Sequence, residues 1–132
     1  MLYITYNIIM FKVLYYQKID GKRPAEEFVN STDPKMKAKI YRNLELLEEF
    51  GNTLKEPISK LLEDGIFEIR SQVGNDISRV LYFFVIDKTV ILTNGFIKKT
   101  DKTPQEEIDL AKKYREDYIK RTKKDGDNNE KF

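Results

Sequence analysis

The chain contains neither cysteine nor histidine, and each absence removes a class of chemistry. Without cysteine there are no disulfides, thiolate nucleophiles or zinc ribbons, a pattern that agrees with a reducing, cytoplasmic setting. Without histidine the side chain best matched to proton transfer near neutral pH is missing. Ser-His-Asp catalysis and His-rich metal sites are excluded, and proton transfer falls to carboxylates, Tyr, Lys or ordered water. A strong excess of one charge is also lacking: 24 Lys and Arg face 22 Asp and Glu. There is no global field for indiscriminate binding to polyanions, so contact with a nucleic acid requires a local patch. Nor is there a long apolar run. The segment MLYITYNIIM is interrupted by Asn7 and then by Lys12, well short of the roughly 20 residues that cross a bilayer. It also lacks the basic region and small-residue cleavage site of a secretory signal, so no membrane role is expected. Met10 reads as a second start, and residues 1–9 as an N-terminal extension ahead of it.

What is present is enough for one core. With 132 residues, 40% hydrophobic and 12% aromatic, the chain fits a single domain, assigned to residues 10–121 and followed by a flexible polar tail at 122–132. Alternation predicts a strand over residues 11–16. Pro24 opens a short helix to about Asn30, with Ala25, Phe28 and Val29 on its apolar side. Asp33 as N-cap and Pro34 at N1 begin a second helix. Its stripe is Met36, Ile40, Leu44, Leu47 and Phe50, and Gly51 ends it. Residues 52–65 read as a loop. Three strands at 66–72, 77–86 and 89–97, joined by short turns, form an antiparallel meander. Thr103-Pro104-Gln105-Glu106 has the pattern of a capping box, and Ile108, Ala111, Tyr114 and Tyr118 continue a helix to about Arg121. The order predicts an α+β fold: a mainly antiparallel four-stranded sheet, an N-terminal helical hairpin and a C-terminal helix, with helices on one face and the other face partly open.

Charge falls where it is least expected, on the central hairpin. Alternation puts Glu68 and Arg70 with Ile66, opposite Phe67 and Ile69, and puts Arg79 with Leu81 and Phe83. A guanidinium there needs an ion partner or solvent, which leaves two arrangements. Both arginines line a concave, wetter part of the sheet, or Glu68 pairs with Arg70 while Arg79 is exposed at a strand end. Lys98, Lys99 and Lys102 follow Gly95 at the end of a strand and are either an anion site, with phosphate the obvious anion, or ordinary solvated lysines. Lys60 adds a further cation before the hairpin. On the last helix, Asp109 with Lys113 and Glu116 with Lys120 are self-paired neighbours, and Tyr114 and Tyr118 read as packing residues.

Taken in order, these residues resemble the RelE/ParE superfamily of type II toxin–antitoxin toxins, in its HigB-like branch with the phage Gp49-like proteins. The likeness runs over about residues 11–119. It is carried by Gly21-Lys22-Arg23-Pro24 with Phe28, Pro57 with Lys60-Leu61, Gly65-Ile66-Phe67-Glu68-Ile69-Arg70, Arg79-Val80-Leu81-Tyr82-Phe83, and Gly95-Phe96-Ile97-Lys98-Lys99-Thr100 through Thr103-Pro104 to Glu107-Ile108. The resemblance implies a RelE-like fold and an endoribonuclease that cuts mRNA during translation on the ribosome. It also implies a cognate antitoxin, typically a helix-turn-helix protein, that silences the toxin. Lys60, Arg70, Arg79 and Glu68 are implied as the catalytic set, and Lys98, Lys99 and Lys102 as RNA-binding residues, with no metal and no small-molecule cofactor.

Such chemistry suits the inventory. Attack by the RNA's own 2′-hydroxyl needs no protein nucleophile. It needs a proton acceptor, cations over the phosphate oxygens and a donor to the leaving 5′-oxygen, and a well-aimed cation or donor contributes about 2.7–4 kcal/mol. In this expectation Arg70 and Arg79 grip the phosphate, Lys60, Lys98 and Lys99 handle protons and flanking backbone, and Glu68 orients an arginine or takes the 2′-proton. The competing expectation is a non-catalytic protein of the same fold, a gyrase inhibitor or a decayed phage interaction module.

Overall fold

A computed structural model describes residues 10–98 and 101–129, with side chains as far as Lys123. The expected extension at 1–9 and the last three residues of the expected tail lie outside the described residues. The elements in chain order are β1 (Lys12–Tyr15), α1 (Pro24–Ser31), α2 (Pro34–Phe50), a single 3₁₀ turn (Gly51–Thr53), β2 (Ser59–Glu63), β3 (Ile66–Val73), β4 (Asp76–Val85), β5 (Thr89–Lys98) and α3 (Gln105–Asn129). Among the described residues no helix is long and apolar enough to cross a membrane.

The class is α+β as expected, but the sheet has five strands and is mixed. Its order is β1-β5-β4-β3-β2. The meander β3-β4-β5 is antiparallel, and β1 joins β5 in parallel register, Val13 opposite Val90. The fifth strand, β2, falls inside the predicted loop. Its sequence, SKLLE, has no alternation, because Lys60 and Leu61 are both exposed on the edge of the sheet. What holds it is backbone pairing with β3, Lys60 opposite Glu68, together with a short hydrogen bond between the Ser59 and Tyr82 hydroxyls. Asp64 (φ 49°) and Gly65 (φ 76°) turn β2 into β3, the left-handed pair that a two-residue hairpin favours.

Helices cover both faces rather than one. The α1–α2 hairpin packs on the first face, where Val29, Ile40 and Leu47 meet Ile69, Val80 and Leu92. Each such side chain, once buried, contributes about 1.5–3 kcal/mol. Asp33 caps α2 as expected, its Oδ1 accepting from the Met36 N–H at 2.9 Å. Phe50 departs from the predicted stripe and is 44% exposed, while Asn43, a polar residue, is buried within it. Gly51 ends α2 at φ 53°, and the Phe11 ring lies where a side chain there would begin, 2.0 Å from an ideal Cβ.

On the second face α3 lays Ile108, Ala111 and the rings of Tyr114 and Tyr118 over Tyr16, Ile66, Leu81 and Phe83. Tyr114 stacks on Tyr16 at 4.7 Å and Tyr118 meets Phe83 edge-on at 5.8 Å, so both serve packing. The helix starts one residue later than a Thr103 cap requires and runs to Asn129, beyond Arg121 and through most of the stretch read as a polar tail. Two ion pairs and a hydrogen bond tie it down: Lys112 to Glu63 and Arg115 to Asp64 at the β2–β3 turn, and the Tyr16 hydroxyl, which donates to Asp117 at 2.6 Å. The charged residues of the meander lie on this second face, where Glu68 meets Thr103 just ahead of α3.

Candidate functional site

Strand register decides which side chains share that part of the second face. Lys60 stands opposite Glu68, Arg70 opposite Arg79 and Arg79 opposite Phe96, while Gln72 and Lys98 both stand opposite Ile77. Directly paired residues project to the same side, and so do residues two apart on one strand. Four adjacent strands therefore each deliver one cation to a single face: Lys60 from β2, Arg70 from β3, Arg79 from β4 and Lys98 from β5. A bulge in β5 sets the last of these. Val80 pairs with Gly95 but Tyr82 with Leu92, so Thr93 and Asn94 together oppose Leu81, and the extra residue turns Phe96 and Lys98 toward the arginines.

Two guanidinium groups placed directly opposite one another repel. Glu68 offsets this: its Oε2 lies 3.7 Å from Nε of Arg70 and 3.7 Å from Nε of Arg79. The three are not equally accessible. Arg79 has no exposed side-chain surface and Glu68 has 1%, whereas Arg70 retains 23%. Arg79 is thus neither exposed at a strand end nor open to a wet concavity; it is an interior cation held by the carboxylate beside it. Burial pulls its pKa below the ordinary arginine value, Glu68 pushes it back up, and Arg70 adds to the lowering.

The other oxygen of Glu68, Oε1, accepts a short hydrogen bond from the Thr103 hydroxyl. Thr103 does not cap α3 but locks the segment before it onto the sheet. Next to it, Asp101 reaches back to Arg70, Oδ1 to Nη2 at 3.4 Å, while remaining 96% exposed. Sequence patterns did not expose either contact, since each joins positions more than thirty residues apart and Thr103 carried only a helix-start signal.

A cavity of about 360 Å³ opens between β2 and this segment, bordered by Lys60, Glu68, Lys102, Thr103 and Gln105 among others. Lys60 and Lys102, far apart in sequence, thus share one cavity. Lys98 is exposed at the end of β5, and Lys99 lies outside the described residues. Among the described residues no group of three or more Asp and Glu is arranged to hold a metal ion.

The arrangement gathers exposed ammonium and guanidinium groups on one face of the sheet, beside a buried Glu68–Arg79 pair whose carboxylate also faces Arg70, a chemistry suited to an anion. No curated protein sequence gives a significant match to the chain. The sequence model of the phage-derived protein Gp49-like family (DUF891) matches residues 27–116, from α1 to the middle of α3. The chain belongs to that family, and through it to the RelE/ParE-like toxin superfamily.

Proposed function

We propose that the protein is an endoribonuclease toxin that cleaves mRNA through the RNA 2′-hydroxyl, without a metal, during translation on the ribosome. Its family implies an antitoxin partner, which we take to be a helix-turn-helix protein. The observation that carries the proposal is the convergence of Lys60, Arg70, Arg79 and Lys98 from four neighbouring strands onto one face, with the cavity containing Lys60 and Lys102 beside it.

In the proposed step the 2′-oxygen attacks the adjacent phosphorus, its proton passes to a base and the 5′-oxygen leaves with a proton from an acid, giving a 2′,3′-cyclic phosphate. Arg70 has exposed surface and is the group assigned to the non-bridging oxygens. Buried Arg79 stabilises the developing charge through the field it exerts rather than by contact. Lys60 borders the cavity and is assigned to proton handling, with Lys98, Lys99 and Lys102 along the flanking backbone. Of the two roles open to Glu68, its burial and its engagement by Thr103 support orienting the arginines over accepting the 2′-proton.

The test is cleavage in a translation extract by purified wild type, Arg70→Ala and Lys60→Ala, each with folding verified. Arg70→Ala should lose at least about a hundredfold in rate, the size of one lost transition-state donor, and wild-type activity should persist in EDTA. Full activity in both variants would overturn the assignment. Growth arrest with DNA-damage signalling and unimpaired translation would favour gyrase inhibition instead.

A further inference from the structure

Asn43 sits in α2 three residues after Ile40 and four before Leu47, both fully buried, and is itself only 4% exposed. A buried amide within an apolar stripe is costly unless its polar atoms are engaged. Its Nδ2 donates to the backbone carbonyl of Arg70 at 3.1 Å and to Ser71 Oγ at 2.8 Å. The need for such a donor follows from where β2 starts. The Arg70 N–H donates to the Ile58 carbonyl at 2.8 Å, just ahead of the first β2 residue, Ser59. In an antiparallel ladder the N–H and C=O of one residue point the same way, so the Arg70 carbonyl faces the same side, where β2 has not yet begun. The amide of Asn43 supplies the hydrogen bond that the ladder does not.

The consequence is felt on the opposite face. Arg70 is held by backbone bonds at both its N–H and its C=O, and Ser71 beside it is pinned through its hydroxyl. The point at which the Arg70 side chain leaves the sheet is therefore set from behind. We propose that Asn43 is a positioning residue for Arg70: it touches no substrate and fixes the strand that aims the guanidinium. This rests on the nuclease reading above for its link to activity, while the restraint on Arg70 is a separate, measurable matter.

The experiment uses Asn43→Leu, similar in size but unable to donate, and Ser71→Ala, a milder variant that keeps the chain folded if the first does not. Two measurements are made on folded protein. In single-turnover RNA cleavage, Asn43→Leu should lower the chemical rate about tenfold, the scale of a small misplacement of a reacting group, with less than about twofold change in RNA affinity. In an Arg70→Ala background the same substitution should cost nothing further, whereas loss of folded protein would lower both backgrounds alike. By NMR of arginine Nε–H groups, Asn43→Leu should shift the Arg70 signal and increase its mobility, with Ser71→Ala giving a smaller change in the same direction. An Arg70 signal unchanged in both variants overturns the proposal whether or not the chain cleaves RNA. If the wild type proves inactive on RNA but the Arg70 signal moves, the nuclease reading fails and the positioning role stands. Equal losses in the two backgrounds also overturn it.

Discussion

Glu68 illustrates what a single residue decides. Two guanidinium groups and one hydroxyl converge on it, and removing its charge while keeping its shape leaves Arg79 buried beside another cation. Glu68→Gln should destabilise the fold by about 3 kcal/mol, the lower end for breaking a buried ion pair, measured by urea unfolding with Arg70→Gln as the milder comparison. Asp101 is the opposite case: its exposed carboxylate competes with any anion for Arg70. Asp101→Asn should tighten binding of a non-cleavable RNA about twofold, the scale of one exposed ion pair, read by fluorescence anisotropy. Tyr16 gives a pH dependence. Burial, and then the hydrogen bond to Asp117, push its phenol from 10.0 up to about 12. A group whose folded pKa is raised contributes stability that is complete below the unfolded value and lost as pH rises through the folded one. Stability should therefore fall between about pH 10 and 12, and Tyr16→Phe should remove part of that fall in thermal melts. The charged residues themselves were legible from alternation, which placed Glu68 with Arg70 on one side of their strand and Arg79 with Leu81 and Phe83 on its own; that all three share one face follows only from the pairing of Arg70 with Arg79. Which of them meets water was not, because that depends on Thr103 and Asp101 folding back over them.

At the scale of elements, the strong periodic segments appeared where the sequence places them, and the exceptions have local causes. Strand β2 escapes pattern reading because an exposed edge strand has no buried face to impose alternation. The extra turns of α3 escape it because the TKKDGDNN stretch carries no apolar stripe. The capping box fails because the Thr103 hydroxyl is drawn to a buried carboxylate instead. Gly95, beside the bulge in β5, is required by packing: an ideal Cβ there would lie 2.4 Å from the Phe28 ring, so α1 approaches β5 over a glycine. Gly95→Ala should cost about 1–3 kcal/mol through overpacking, and adding Phe28→Leu should recover part of it. A double-mutant cycle by urea denaturation in which the two effects simply add would show that the contact is not the cause.

For the molecule as a whole, the balanced charge count coexists with a local group of cations on one face of the sheet. Binding to single-stranded RNA through Lys60, Arg70, Lys98 and Lys102 should show log affinity against log salt with a slope of about −3, from about −0.7 per phosphate contacted. Lys102→Ala should reduce the magnitude of that slope by about 0.7, while Arg79→Lys should leave it unchanged, since a buried cation releases no counterion. Titrations with a non-cleavable RNA at several salt concentrations check both. A slope near zero would mean that the four cations do not act as one surface.

The sequence alone determined the helices, the meander and the side of its own strand on which each charge lies, because amphipathic periodicity is a local property written in neighbouring residues. It also determined what the chemistry cannot use, through the missing histidine and cysteine. Only the tertiary structure decided that β2 lines the edge beside Glu68, that α3 packs on the second face, and that Arg79 is interior while Arg70 is partly open. Those outcomes depend on contacts between segments far apart in the chain, where burial and hydrogen bonding are settled by packing rather than by any local pattern.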